Sequence, residues 1–114
     1  MVNKLEPNQI FVFGSNMAGQ HLGGAALQAL HWGAVMGQGE GLQGQCYAFP
    51  TLDENFEKRG YRELYLSRIK FEQCAIEHPD KEFLLTKVGT GIAGYAEEFM
   101  DLLLIDLPTN VKRV

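Results

Sequence analysis

The chain is poor in cysteine, in positive charge and in long apolar runs, and each shortage removes a class of protein. Its two cysteines, Cys46 and Cys74, stand singly in apolar surroundings, with no C-x-x-C and no neighbouring histidine pair. That excludes a disulfide framework or zinc ribbon and reads as two reduced core thiols. Ten Lys and Arg against fourteen Asp and Glu give a net charge of −4, which argues against nucleic-acid binding through a basic surface. It leaves room for one phosphate or pyrophosphate held by main-chain amides, which need no net charge. No charged-then-apolar leader opens the chain, and no apolar run approaches a membrane span, so no membrane partner and a cytoplasmic location are expected. There is no G-x-x-x-x-G-K-[ST], no metal-ligand spacing and no implied cofactor, and carboxylate pairs are missing from the glycine-rich loops. Internal repeats and linkers are absent too, and 114 residues fit one domain over residues 1–114.

What the chain has is glycine, thirteen in all. Hydrophobic content of 46% with 21% charged residues is ordinary for a globular protein. The run Ile10-Phe11-Val12-Phe13 does not alternate and reads as a buried strand ending at Gly14. From Gly24 to about Met36 the spacing of Leu27, Leu30 and Ala34 predicts a helix, with Ala25, Ala26 and Ala29 allowing close approach to a sheet. Residues 37–44, GQGEGLQG, read as a loop without regular structure, either a lid or a flexible connector. Residues 45–51, QCYAFPT, read as a strand stopped at Pro50.

Tyr61, Leu64, Tyr65, Ile69, Phe71, Ala75 and Ile76 share one side of a helix over residues 61–78, ended by Pro79. Arg68 and Glu72 fall in that arc as a solvated pair four residues apart. Residues 82–88 read as a strand, 96–105 as a short helix with Phe99, Leu102 and Leu103, and NVKRV as a last strand. The order β-α-β-α-β-α-β indicates an α/β domain, a three-layer α/β/α sandwich on a mostly parallel central sheet. In such sheets ligands bind beyond the carboxyl ends of the strands.

Two glycine-rich loops occupy that position, GSNMAGQHLGG after the first strand and GTGIAGY after the third. The second matches G-x-G-x-x-G, but only twenty residues follow Gly94, too few for a dinucleotide-binding half. Two such loops on one sheet edge can hold a diphosphate from both sides, with helix dipoles adding favourable potential; alternatively the glycines serve turns. Ser15, Asn16, Gln20 and His21 lie in the first loop. Asn16 either bonds a ribose hydroxyl or ties its own loop as an Asx-turn. His21 is the candidate general base or phosphate contact, against the plainer reading of an exposed loop histidine. His31 and His78 fall on helix positions, and Asp53 and Glu54 read as a surface turn. Tyr95 is the better candidate to stack on a base, Trp32 reading as helix-to-sheet packing.

These residues carry a resemblance. Asn16 followed by Gly23-Gly24-Ala25-Ala26, and Gly89-Thr90-Gly91-Ile92-Ala93-Gly94-Tyr95 after an apolar strand, resemble the two ligand loops of macrodomains. The combined pattern FVFGSN.AG.H..GAA, GLQG..YA.PT and HP...FL.T..G.G.AGY is similar to a small macro-like family of bacteria and their phages over nearly the whole chain. The resemblance implies a macrodomain-like fold and an ADP-ribose-like nucleotide as small-molecule ligand, between Gly14, Ser15, Asn16, Gly23 and Gly24 on one side and residues 89–95 on the other. It implies that the second loop embraces the diphosphate while Tyr95 and Asn16 flank the distal ribose. The Asp that follows the glycines in hydrolytic members is replaced by Leu27 or Gln28. A hydrolase using His21, or a sequestering or protein-interaction module in phage–host conflict, are the alternatives.

Overall fold

The computed structural model describes residues 2–114. The elements are β1 (Gln9–Asn16), α1 (Gly24–Ala29) running into a 3-10 turn (Leu30–Trp32), β2 (Gly41–Gln43), β3 (Cys46–Leu52), α2 (Tyr61–Glu77), β4 (Glu82–Leu85), α3 (Glu97–Leu103) and β5 (Val111–Arg113). They build an α/β fold on a five-stranded sheet of order β2-β3-β1-β4-β5. All neighbours are parallel except β2, which runs antiparallel to β3.

The central strand explains the absence of alternation in the sequence, because both of its faces are covered. Ile10 and Val12 pack with Phe49, Phe83, Leu64 and Phe71 of α2, and Met100 and Leu103 of α3. Phe11 and Phe13 point the other way, to Cys46, Ala48 and Ala26 and Ala29 of α1. Trp32 closes edge-on against Phe11 at 4.9 Å, the packing role expected of it.

Several boundaries depart from expectation for local reasons. Within residues 37–44, three residues pair as β2, from Gly41↔Ala48 to Gln43↔Cys46, so the segment is not wholly irregular. Pro50 does not stop its strand: β3 continues to Leu52. β2 pairs no further than Ala48, so no strand needs an N–H from Pro50, and its carbonyl on the same open edge accepts from Arg59 Nη1 at 2.8 Å. The first helix is shorter than its spacing suggests, ending in the 3-10 turn at Gly33. It buries Ala26 and Ala29, while Leu27 stays half-exposed. Strand β4 covers only the first four residues of 82–88.

Helix α2 shows the largest shift. Leu64, Ser67, Phe71 and Ala75 are its buried residues, whereas Tyr61, Tyr65, Ile69 and Ile76 of the expected arc remain exposed. Arg68 does pair with Glu72 at 3.5 Å. It is not a solvated edge pair, since Arg68 Nη1 also donates to the carbonyls of Leu103 and Ile105 at 3.0 and 2.8 Å, closing the end of α3. No helix among the described residues is long and apolar enough to cross a membrane.

Both cysteines are free, Cys46 buried and Cys74 half-buried. Burial pushes the Cys46 thiol up to about 12 and raises Cys74 as well. A thiol-reactive dye at mild alkaline pH is therefore expected to label at most one cysteine in the folded protein, slowly, and two in denaturant. Burial also raises the Tyr47 and Tyr95 phenols. Groups raised by folding contribute stability that is full below their unfolded values, about 8.5 for thiols and 10 for phenols, and lost as pH rises toward the folded ones. Melting curves between neutral and alkaline pH should show Tm falling with pH above that onset.

Candidate functional site

At the carboxyl ends of β1, β3 and β4 lies a cleft of about 630 Å3, within the usual range of ligand pockets. Its walls come from the end of β1 with Gln20 and residues 22–26, from Thr51, Leu52 and Phe56 at and beyond the end of β3, and from residues 86–89 and 91–93 after β4. Both glycine-rich loops thus meet across one cavity. Gly14 lies at their meeting point, where a Cβ would stand in ordinary contact with the Gly89 amide nitrogen at 3.5 Å.

The glycines divide by what surrounds them. At Gly19 and Gly39 an added Cβ would collide with the backbone of Gly37 and with the carbonyl of Asn16, so these serve close packing inside the protein. Gly24 and Gly89 hold left-handed backbone, with φ of 57° and 79°, which disfavours side chains. Gly23 and Gly91 belong to neither group. Neither has a left-handed angle, and a Cβ on either would meet nothing within 4 Å. Both line the cleft, where the space a side chain would fill is space for a ligand.

The amides beside them are unpaired. In the second loop Val88, Gly94 and Tyr95 donate to Thr86, Gly91 and Gly89. The N–H groups of Gly89, Thr90, Gly91, Ile92 and Ala93 find no acceptor among the described residues, nor do those of Gly24, Ala25 and Ala26. Apart from Thr90, these donors belong to residues of the cleft wall, and free amides in two segments around one cavity suit an anion with several oxygens. Helices α1 and α3 are only six and seven residues long, so the expected dipole contribution is minor beside these donors.

Residues 37–44 are neither lid nor loose connector. They are bonded beneath the first loop, with Gly37 N donating to Gly19 O at 2.9 Å and Ser15 Oγ to Gly39 O at 2.6 Å. Gln43 holds the segment's own turn, its amide donating to the carbonyls of Gln38 and Gly41. His21 is built into this layer rather than exposed. It is fully buried, edge-on to Phe13 at 5.1 Å, and Nε2 lies 3.1 Å from the Gln38 carbonyl. A carbonyl only accepts, so Nε2 carries the proton and Nδ1 is left without a partner. His21 is not among the residues lining the cleft.

Asn16 lines the cleft and ties its loop, accepting from Gln20 N and donating to Gln20 O at 3.0 Å each. One amide hydrogen remains free for a ligand. Tyr95 stands behind the second loop, outside the cleft lining. Its hydroxyl accepts from Arg59 N at 2.8 Å and donates to Thr51 O at 2.9 Å, and its ring stacks on Phe99 at 5.7 Å. Thr90 Oγ1 is turned back to Lys87 O at 3.0 Å. Asp53 forms the expected surface turn, its Oδ1 accepting from Asn55 N and Glu57 N.

Sequence reasoning passed over Leu22, Phe56 and Lys87, all in the cleft wall. Phe56 is 55% exposed and holds a positive φ of 61°, costly for an aromatic residue. With Leu22 (68% exposed) and Ile92 (93% exposed) it puts large apolar side chains on the wall of an amide-lined cavity. Lys87 is the one cation lining it and lies 3.6 Å from Glu97. Among the described residues no His, Cys, Asp and Glu cluster could hold a metal. Compared with protein-family models, curated proteins and solved structures, the chain matches none.

Substitution separates the two kinds of glycine. Gly39→Ala should cost roughly 2–3 kcal/mol through backbone overlap, while Gly23→Ala and Gly91→Ala should stay within about 0.5 kcal/mol of wild type in denaturant titrations. His21→Ala should destabilise by about 2–4 kcal/mol, as for any buried side chain of that size.

Proposed function

We propose that the cleft binds an ADP-ribose-like nucleotide, in a three-layer α/β/α sandwich of the macrodomain type. The diphosphate lies between the amides of residues 24–26 and 89–93, and Lys87 supplies the nearby positive charge. Asn16 offers its free amide hydrogen to a ribose hydroxyl. Phe56 and Ile92 give apolar walls to the parts of the ligand that leave the diphosphate. Tyr95 contributes by fixing the second loop against Thr51 and Arg59.

The observation that carries this reading is the pair Gly23 and Gly91, whose lack of a side chain neither the backbone nor internal packing demands. Binding is favoured over hydrolysis because no carboxylate lines the cleft and His21 is buried beneath it. A protein that holds such a nucleotide without turning it over also fits a sequestering role.

Calorimetric titration with ADP-ribose should give saturable binding near one equivalent, with AMP at least tenfold weaker because it lacks the diphosphate. Gly91→Glu, which puts a carboxylate into the amide cradle, should abolish the signal while leaving Tm unchanged. Silence from the folded wild type, or undiminished binding by Gly91→Glu, contradicts the proposal.

A further inference from the structure

Outside the cleft wall, a chain of hydrogen bonds runs from the segment beneath the first loop to the second loop. It is centred on Arg59, which lines no part of the cleft. The main chain of Arg59 serves the second loop, its N–H donating to the Tyr95 hydroxyl at 2.8 Å. The neighbouring Lys58 Nζ donates to Gly94 O at 3.1 Å. The Arg59 side chain serves the first loop. Its Nη1 donates to Pro50 O of β3 and to Ser67 Oγ of α2, at 2.8 Å each, and Ser67 Oγ donates in turn to Glu40 Oε2 at 2.6 Å. Glu40 directly follows Gly39, whose carbonyl accepts from Ser15 Oγ and whose backbone packs against the Asn16 carbonyl.

Ser67 is the informative member. It is 2% exposed and shares the inward side of α2 with Leu64, Phe71 and Ala75. A buried polar group costs stability unless it is paired, and alanine is the better helix former. What serine offers there is one hydroxyl that accepts from a guanidinium and donates to a carboxylate at once. Both partners are charged, which makes the two bonds strong. Both are also shielded: Arg59 is half-buried, and the Glu40 side chain is 16% exposed with its other oxygen 3.4 Å from Lys70 Nζ. A shorter path also exists through β3, because Thr51 Oγ1 lies 3.4 Å from Ser15 O and the Thr51 carbonyl accepts from Tyr95.

From this chain we propose that Arg59 is a positioning residue of the cleft. It sets the two glycine-rich loops against each other, through Ser67 and Glu40 at one end and through Tyr95 at the other. What the positioning serves, holding the free amides of both segments at one spacing for a nucleotide, rests on the function proposed above. The positioning itself is a property of the free protein.

Amide hydrogen exchange in the ligand-free full chain tests this, with Ser67→Ala cutting the chain at one end and Tyr95→Phe at the other. Gly19 N and Gly37 N, bonded to Asn16 O and Gly19 O, report on the first loop, and Gly94 N and the residue 95 amide, bonded to Gly91 O and Gly89 O, on the second. Each variant is expected to speed exchange at all four amides about tenfold, the equivalent of one buried hydrogen bond, while the core amides of Phe11 and Phe83 keep their rates. A variant that quickens only the loop at its own end overturns the proposal, since β3 alone would then hold the loops. So does one that quickens the core equally, since the role would then be general stability.

Titration with inorganic pyrophosphate separates the positioning from its purpose. Affinity about tenfold weaker in Ser67→Ala than in wild type supports both. Undiminished affinity in Ser67→Ala overturns the positioning role and leaves the binding reading standing. Effects on exchange that cross between the loops, in a wild type that does not bind pyrophosphate, support the positioning and contradict the nucleotide reading.

Discussion

The close contact between residues 37–39 and the loop after β1 sets the shape of everything at this end of the sheet. Gly39 lies so near the Asn16 carbonyl, and Gly19 so near Gly37, that neither tolerates a Cβ. Ser15 Oγ and the His21 ring fasten the same two segments from inside. A loop rich in glycine would otherwise lose much of its order to backbone entropy. Locked on one face, it presents Gly23 and the amides of residues 24–26 to the cleft in a fixed arrangement. Tyr95 does the same for the second loop, joining it to Thr51 and to Arg59.

For the ligand proposed above, the opposing walls therefore need no assembly. In the proposed function, N–H groups with no acceptor inside the protein take up an anion without breaking internal bonds. This also reconciles an acidic chain with the anionic ligand proposed for it. The net charge of −4 opposes long-range attraction, whereas the amides act only at contact distance.

Much of the fold was legible in the residues because the core strands are short and apolar, although Gly14 and Pro50, read as strand ends, lie inside β1 and β3. The parallel order of β1, β3 and β4 follows from helices between them, and both glycine-rich loops fall where that order puts them. Strand β2 was not legible: three residues containing a glycine carry no period, and only pairing with Cys46–Leu52 makes them a strand. Of the α2 arc read as one side only Leu64, Phe71 and Ala75 turn inward, and which part does so depends on where Phe49 and Phe83 stand. In the site, the sequence pointed to the glycines without sorting them. Packing glycines differ from cleft glycines only in what lies opposite, which is tertiary information. The same limit hid the inward turn of His21 and the place of Phe56, whose only distinguishing mark is a backbone angle.

The central claim is that the unpaired amides of residues 24–26 and 89–93 form one anion cradle. The most direct measurement is amide NMR on the 15N-labelled protein titrated with inorganic pyrophosphate. The account predicts saturable shifts confined to those two segments, moving together with a single affinity. Shifts scattered over surface lysines, or none at saturating pyrophosphate, would contradict it.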